Sequence, residues 1–441
     1  MLNFSVFIPL VFSIFFATIT TIIAYPGIWT WDAIHRYQEI LGIKPLTTHF
    51  TLLLTYAWWL LLSGLKYPGF ILVFDQILFW GAITLFSYAA FKTIKARLVV
   101  ITALGLCPPL YIWSVTISSD NVMVSLMLLA VSFIALYIRS RRVLWLIFCL
   151  IPLVLATAIR YNAITGAFPL IVLVAIFYIR EQHKTITFSF YKVVALTLLF
   201  LTMPAMLSFF LNSTAIQKPQ LGTIFVWDMA AISVIEHTDV IPDYLQYNKD
   251  NNMIQLVKTF NKNSNVPTFS VVSYLPPKGY TEYSAIIKPF IKSVLRFPSA
   301  YLSHRFHVFL TLLSFGKDIY FKMQPWMQPN TYGIKFNYPS LVRVYFYESI
   351  CQIPLFRVYW YFLVDLFICI FLSLKVYRYR AIKELEELSL TTSLSGLTME
   401  LPLFVFAPAC DYRYSLWVVC SALLSLLLMI ASRYSRKEIK I

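Results

Sequence analysis

The sequence predicts an all-α polytopic membrane protein with about ten transmembrane helices, and three observations lead to this fold class. Hydrophobic residues make up 59% of the 441 residues and charged residues only 13%, a balance that no soluble core of this size needs. Many apolar runs approach the roughly 20 residues that a helix needs to cross a bilayer. The basic residues gather in the short segments between these runs. The bilayer is therefore the expected solvent for most of the chain.

Ten apolar runs are predicted to form the membrane-spanning helices. In chain order they are Phe4 to Tyr25, Phe70 to Phe91, Leu98 to Ile117, Val122 to Tyr137, Val143 to Thr157, Ala163 to Ile179, Phe188 to Leu211, Val358 to Val376, Leu388 to Pro408 and Leu416 to Ile430. The first run could be read as a signal peptide, but it lacks a basic start and ends in Ala-Tyr-Pro-Gly, a poor cleavage site. We therefore expect it to remain as a helix.

The positions of the basic residues predict the orientation of these helices. Five clusters follow alternate runs: Lys92, Lys95 and Arg97; Arg139, Arg141 and Arg142; Arg180 and Lys184; Lys375, Arg378, Arg380 and Lys383; and Arg433, Arg436, Lys437 and Lys440. Lys and Arg are enriched in cytoplasmic loops. Ten spans then place all five clusters and both termini in the cytoplasm of a multi-pass cytoplasmic (inner) membrane protein. The net charge of +16 thus needs no nucleic-acid partner.

One further apolar segment, Phe50 to Leu62, is predicted to lie along the outer membrane surface without crossing it. The segment has about 13 residues, too few to cross comfortably, and it carries Trp58 and Trp59, which suit the headgroup zone. Counting it as a span would also place the later basic clusters outside. We expect an interfacial or re-entrant helix after the first outer loop.

Three regions follow from this reading. Residues 1–211 form an N-terminal transmembrane module that carries the candidate active-site loops, and residues 357–441 form the C-terminal transmembrane helices. Between them, residues 212–356 are more polar and are punctuated by proline. We expect this stretch, called the cap segment below, to be a small extracytoplasmic insertion.

The first outer loop supplies the principal catalytic candidate, Asp32. Aromatic neighbours at the membrane surface raise the proton affinity of a carboxylate by desolvation, and a nearby cation such as Arg36 lowers it. Such a group can act as a general base on a bound hydroxyl. Its alternative role is that of an ordinary cap on the helical segment that begins at Ala33. Arg36 is itself either a substrate or phosphate contact or part of an ion-pair network on its helix face. His49, further along, is either a substrate contact or a solvated loop residue.

The other outer loops supply further candidates. Asp120 is a metal ligand, a hydrogen-bonding group for a sugar, or a cap on the following helix. Arg160 and Arg413 carry planar guanidinium groups that suit a phosphate or pyrophosphate, although arginines at helix ends also snorkel to the interface. Asp75 is a carboxylate in the outer part of a span, where ionisable groups indicate function, and we expect it to line the same cavity.

Several reaction classes lack their sequence motifs. The chain has no G-x-x-x-x-G-K-[ST], G-x-S-x-G or H-E-x-x-H motif, so ATP hydrolysis and the usual hydrolase readings are unsupported. The six cysteines show no C-x-x-C spacing, and His304 and His307 have no third ligand nearby. No metal or other cofactor is therefore assigned, although a divalent cation stays open as an alternative. The chemistry must draw on a donor that is already outside, which favours a lipid-linked one.

A set of residues in roughly the first 180 positions resembles the GT-C superfamily of membrane glycosyltransferases, near the bacterial protein O-mannosyltransferase and aminoarabinose transferase branches. These residues are Pro26-Gly27, Trp31-Asp32, the Leu41-Gly-Ile-Lys-Pro-Leu46 connection, His49, the Thr51 to Leu62 helix, Gln76, Asp120 and Arg160-Tyr-Asn162. The chain departs from the pattern at Ala33, where many members have Glu, and at Phe50, where they have Pro.

The resemblance implies a polyprenyl-phosphate or polyprenyl-pyrophosphate sugar donor whose lipid lies between helices while its headgroup enters an outer cavity. Asp32 would deprotonate an acceptor hydroxyl on an envelope lipid, glycan or protein, and the reaction would invert the anomeric carbon. Arg160 and Arg413 would hold the departing phosphate. Two alternatives use similar surroundings: a flippase or transporter of lipid-linked sugars, and a polymerase or ligase of lipid-linked glycans.

Overall fold

The computed structural model describes residues 4–182, 190–218, 220–247, 252–316, 327–336 and 351–437. Helices dominate these residues. In chain order they are α1 (Phe4–Ala24), α2 (Trp31–Ile40), α3 (Leu52–Leu65), α4 (Phe70–Ala90), α5 (Ile94–Gly105), α6 (Pro108–Ser114), α7 (Ser119–Ser140), α8 (Leu144–Ile159), α9 (Ala163–Gln182), α10 (Phe190–Asn212), α11 (Gln220–Glu236), α12 (Asn252–Thr259), α13 (Lys288–Arg296), α14 (Pro298–Leu312), α15 (Val358–Tyr379), α16 (Glu384–Glu400), α17 (Leu403–Phe406) and α18 (Leu416–Lys437). Two short strands, β1 (Ile28–Trp29) and β2 (Thr116–Ile117), pair in parallel.

The predicted class, an all-α polytopic membrane protein, is confirmed. Eight helical segments within the described ranges are long and apolar enough to cross a membrane. They are α1, α4, α7, α9, α10, α15, α16 with α17, and α18. The bent pair α5 and α6 makes a ninth if it is counted as one span.

The predicted count of ten spans differs from this result at two places. The run Leu98 to Ile117 is divided between α5 and α6, which meet at an angle of 68°. Pro108 and Pro109 begin α6, and a proline both lacks an amide donor and disfavours helical geometry in the residue before it. The run Val143 to Thr157 forms α8, which has only 16 residues. By length and composition, eight or nine of the described segments qualify as spans, so the predicted count of ten stays a prediction.

The helices differ in how much of their surface meets other helices. In α7, 78% of the residues in the apolar stretch are buried inside the protein, compared with only 17% in α1 and in α10. The α7 helix packs against α4 and α8. In the C-terminal part of the chain, α16 packs closely on α18 and α15. Asp365 of α15 accepts hydrogen bonds from Ser421 at 2.6 Å and Ser425 at 3.2 Å. Small and hydroxyl side chains thus join these helices within the apolar region.

The pairing of β1 and β2 fixes the loop after α1 against the loop before α7. Ile28 lies opposite Thr116 and Trp29 opposite Ile117. Gly27, just before β1, has a φ of +95°, and a Cβ there would come within 2.7 Å of the Ile117 side chain. A residue without a side chain is therefore required at this approach. The starts of α2 and α7 are held side by side as a result.

The predicted interfacial segment forms α3, which has 14 residues and is not among the helices long enough to span. Its placement along the membrane surface stays a prediction. Of its two tryptophans, Trp59 is 54% exposed but Trp58 is only 1% exposed. Trp58 therefore belongs to the interior and not to the headgroup zone, where the sequence had suggested it.

The described parts of the cap segment have a hydrophobic cluster of their own, built from α11, α12, α13 and the turns between them. Val226, Met229, Leu256 and Ile286 are at its centre. A second, smaller cluster joins Trp227 of α11 to the loop that follows α17. The cap segment thus packs against α17 and the loop that follows it.

Candidate functional site

Asp32 and Asp120 occupy equivalent positions in the first turns of α2 and α7. In α2 the cap is Thr30, whose hydroxyl accepts from the Ala33 amide at 3.3 Å. In α7 the cap is Ser118, whose hydroxyl accepts from Asn121 at 3.3 Å. Because other residues cap both helices, the two carboxylates are available for other contacts. The alternative interpretation of Asp32 and Asp120 as ordinary caps does not describe this geometry.

Two arginines from distant loops meet these carboxylates. Arg413 contacts Asp32 through Nη1, and its Nε lies 3.9 Å from Asp120 and 2.9 Å from Asp411. Arg160 Nε lies 2.9 Å from the other oxygen of Asp120. We call Asp32, Asp120, Arg160, Asp411 and Arg413 the charged cluster. Four segments that are far apart in sequence contribute to it.

An aromatic ring supports the two arginines of the charged cluster. Tyr414 lies 5.4 Å from the guanidinium carbon of Arg160 and 5.4 Å from that of Arg413. A cation above an aromatic ring is attracted by the negative face of the ring. Tyr414 therefore adds a second attraction that keeps the two guanidinium groups close together.

The ionisation of Asp32 reflects its neighbours. Burial raises the pKa of the Asp32 carboxyl. The charge of Arg413, and then the charges of Arg160 and His49, lower it by more, so the pKa lies below its ordinary value. The side chain is 30% exposed. Asp32 is thus an ionised carboxylate at neutral pH, partly open to solvent.

A cavity of about 80 Å³ adjoins the charged cluster. Its lining residues are Arg36, His49, Phe50, Thr51, Ser119, Ile159, Arg160 and Tyr161. Three of the predicted site residues, Arg36, His49 and Arg160, are therefore at one cavity. Since two of them are guanidinium groups, the cavity suits an anion with several oxygen atoms.

Arg36 lines this cavity. Its Nη1 donates to the Thr51 carbonyl at 2.8 Å and to the Thr55 hydroxyl at 2.5 Å. The residue is 3% exposed and lies over the Phe50 and Trp58 rings. Burial lowers the pKa of Arg36 to about 10, so it remains charged at neutral pH. Asp32 is still near enough to favour the charged form of Arg36, but the cation in contact with Asp32 is Arg413.

The two histidines near the cavity are uncharged at neutral pH. Burial, with Lys44 and His49 nearby, lowers the pKa of His35 to about 4. Burial also lowers the pKa of His49, and the favourable charge of Asp32 does not restore it. Their rings lie 6.3 Å apart. Each neutral imidazole therefore offers a hydrogen-bond donor or acceptor to a ligand and adds no net charge.

Asp75 does not join the charged cluster, contrary to the expectation from sequence. It is 4% exposed within α4, and neither carboxylate oxygen accepts a hydrogen bond from a described residue. Its neighbour Gln76 instead reaches across, donating to the Ser114 carbonyl at 2.7 Å. A single residue along a helix changes the direction of a side chain by about 100°, so the outer position of Asp75 did not determine which face it occupies.

Residues of the cap segment hold the loop that carries Arg413. Arg305 of α14 donates to the Ala407 carbonyl at 2.7 Å, and the Cys410 amide donates to the Asn263 carbonyl at 2.9 Å. Arg305 is itself fixed by Asp228 at 2.6 Å. Sequence reasoning missed these supports and Asp411. The position of Asp411, two residues before Arg413 in a short outer loop, was the one signal that could have found it.

The described residues contain no group of three or more His, Cys, Asp or Glu side chains arranged to hold a metal ion. Searches of protein-family models, curated proteins and solved structures find no match for this chain. The charged cluster and its cavity are therefore the features from which we infer a function.

Proposed function

We propose that this chain is a glycosyltransferase that moves a sugar from a polyprenyl-phosphate or polyprenyl-pyrophosphate carrier to a lipid, glycan or protein acceptor of the cell envelope. One observation carries the proposal: the partly exposed Asp32 carboxylate lies against Arg413, beside a cavity lined by Arg36 and Arg160. Glycosyl transfer from a lipid phosphate needs both a base for the acceptor and cations for the leaving group. The charged cluster and its cavity offer both.

In the proposed reaction, the acceptor oxygen bonds to the anomeric carbon on the face opposite the carrier. The bond from that carbon to the phosphate oxygen breaks, and its electron pair stays on the phosphate. The acceptor proton passes to Asp32. Attack from the opposite face inverts the anomeric configuration. Because negative charge grows on the departing phosphate, Arg36 and Arg160 stabilise the transition state more than the bound donor.

The contact between Asp32 and Arg413 has a role in this proposal. Arginine binds phosphate through two parallel hydrogen bonds, so an arriving donor competes with Asp32 for Arg413. Arg413 is also the strongest influence that lowers the pKa of Asp32. A phosphate on Arg413 would therefore free the carboxylate and raise its proton affinity. In this way the base becomes effective only when the donor is present.

The proposed orientation puts the charged cluster outside the cytoplasmic membrane, with both termini and the basic clusters inside. Ion pairs between Arg141 and Glu384 and between Arg180 and Glu387 lie at the opposite ends of the helices. A membrane-impermeant thiol reagent in intact cells should label a Lys278→Cys variant and leave a Ser140→Cys variant unlabelled. The reverse pattern would overturn the orientation and the site with it.

The function is tested with purified protein in vesicles, a short polyprenyl-phosphate sugar and a mixture of envelope acceptors. Asp32→Asn should reduce turnover by roughly 10²–10⁴-fold, since it removes general-base assistance. Donor affinity should be retained or increased, because the neutral side chain competes less well for Arg413. Asp243→Asn, a neutralised exposed carboxylate of the cap segment, is the matched control and should turn over normally. Wild-type turnover by the Asp32→Asn protein would contradict the assignment.

A flippase or transporter of lipid-linked sugars is the second candidate, and one observation favours it. Asp75 is a buried carboxylate in a span with no hydrogen-bond partner among the described residues, and such groups often belong to proton pathways. If this candidate is right, Asp75→Asn should abolish movement of the lipid across vesicles, whereas Asp32→Asn should leave it intact.

A further inference from the structure

The exposed face of α13 combines basic and apolar side chains. Lys288, Lys292 and Arg296 follow one another at four-residue spacing, and all three are exposed. Beside them on the same face, Ile291 is 45% exposed and Leu295 is 78% exposed. Large apolar side chains next to a row of cations are typical of helices that lie in the interface of a membrane.

The exposed apolar surface continues along α14. Leu302 is 51% exposed and Phe306 is 57% exposed, one helical turn apart. The Phe306 ring lies 6.4 Å from the ring of Phe404 in α17. The apolar surface of the cap segment is therefore continuous with the outer end of a membrane-spanning segment.

Contacts with α15 place α14 at the edge of the membrane. The Phe309 ring lies 5.8 Å from Phe404 and 6.5 Å from Phe362, and the Tyr359 amide donates to the Leu313 carbonyl at 2.9 Å. Tyr359 and Phe362 are in the first two turns of α15, a candidate span. The α14 helix thus lies level with the point at which α15 enters the bilayer.

We propose that residues 288–312, named the elbow, lie on a phospholipid bilayer. Leu295, Leu302 and Phe306 enter the acyl region, and the basic row of α13 binds the phosphate groups of anionic lipids. Each Lys or Arg near an anionic surface adds attraction, and the apolar side chains add burial. This surface is separate from the charged cluster and does not depend on the reaction proposed for it.

The elbow has a consequence for the loop that carries Arg413. Arg305, within the elbow, donates to the Ala407 carbonyl. A helix anchored to lipid through its exposed face therefore also fixes the loop on its buried face. The lipid surface becomes one of the supports of the cap segment.

The depth of the elbow is measured with a spin label on a Leu295→Cys variant of the full chain in vesicles. Oxygen collides mainly with labels in lipid, and a water-soluble nickel complex collides mainly with labels in water. In vesicles of phosphatidylcholine with phosphatidylglycerol, we expect the label to be reached by oxygen and protected from nickel. The unsubstituted protein, labelled in parallel, gives the background from the six native cysteines.

Two charge variants complete the test. Reversing the basic row with Lys288→Glu, Lys292→Glu and Arg296→Glu should move the label into water in the anionic vesicles. Reversing three other exposed cap lysines, Lys258, Lys262 and Lys278, gives the same net charge and should leave the label in lipid.

A label in water in the parent protein would overturn the proposal, as would a label hidden from both reagents, which indicates protein contact. A depth unchanged by reversal of the basic row would overturn the role given to those residues.

Discussion

Asp32 and Asp228 are both carboxylates that face an arginine, but their surroundings differ. Asp228 and Arg305 are 0% exposed, and the pair is enclosed by His304 and Trp227. Asp32 is 30% exposed, and its partner Arg413 also contacts Asp411 and Asp120 beside a cavity. The first pair is closed and joins two parts of the fold. In the second pair, Asp32 and Arg413 can each exchange their mutual contact for one with a ligand, because the pair is partly exposed and adjoins a cavity.

The largest expected effect comes from making the same change in both places. Asp228→Asn should lower the free energy of unfolding by about 3–5 kcal/mol, because it leaves Arg305 charged and unpaired in the interior. Asp32→Asn should lower it by no more than about 1 kcal/mol, since the pair is partly solvated. Thermal unfolding of both variants in detergent measures the difference. Equal destabilisation would show that Asp32 is a structural residue like Asp228.

The second expected effect concerns the cavity. Arg160→Ala should weaken binding of a polyprenyl phosphate by about 1.5–3 kcal/mol, the range for hydrogen bonds to charged groups, or roughly 10–100-fold. The matched control is Arg142→Ala, which removes an exposed arginine just beyond the end of α7 that lies opposite Asp120. Calorimetric titration gives both affinities. If both variants bound equally well, the cavity would not be the phosphate site.

A third carboxylate, Asp365, extends the comparison into the membrane. A Cβ at Gly396 would come within 2.3 Å of Asp365 Oδ2 and 2.1 Å of Ser421 Oγ. Gly396→Ala should therefore cost about 1–3 kcal/mol by overpacking. Gly81→Ala is the control, because nothing lies within 4 Å of the Cβ there. Similar unfolding temperatures for the two variants would mean that Asp365 is less tightly enclosed than Asp228.

The smallest expected effect is a pH dependence of stability at His304, which lies beside the buried pair of Asp228 and Arg305. Burial, with Arg305 and His307 nearby, lowers the pKa of His304 to about 3. The unfolded chain then binds the proton more readily, so the stability from His304 is present above about pH 6.5 and is lost as the pH falls toward about 3. Asp228, 3.5 Å from His304, offsets part of this loss, because burial raises its pKa to about 6 and the folded protein then binds that proton more readily than the unfolded chain.

Hydrogen exchange of the α14 amides at pH 7 and pH 5 measures this loss. A His304→Phe variant removes the titrating group and keeps a ring against Trp227, so its exchange should depend much less on pH. Acid sensitivity of equal size in the variant would assign the effect to another group, such as His307.

Most residues of the charged cluster could be predicted from the sequence. The sequence-based assignment put the loops that carry them on one side of the membrane, and Asp32, Asp120, Arg160 and Arg413 do meet. Which carboxylate meets which arginine could not be predicted, because Arg36 and Arg413 were both within reach of Asp32. The partner was decided by the packing of α2 on α3, which turned Arg36 toward Thr51.

The sequence also predicted the fold class and most of the candidate spans. Apolar runs identified nearly every span, but hydropathy alone did not reveal that Pro108 and Pro109 would bend one of them. Nor did it separate α7, which is mostly buried, from α1, which is mostly exposed, since lipid and protein interiors are equally apolar. Asp75 was misplaced for the same reason, because its face on α4 depends on which helices are neighbours.

The most direct test of the central claim is an experimental structure of the protein with a bound polyprenyl phosphate. The account predicts that the phosphate lies within hydrogen-bond distance of Arg160 in the cavity lined by Arg36 and His49, and that Asp32 has separated from Arg413. A phosphate bound elsewhere, with the contact between Asp32 and Arg413 unchanged, would contradict it.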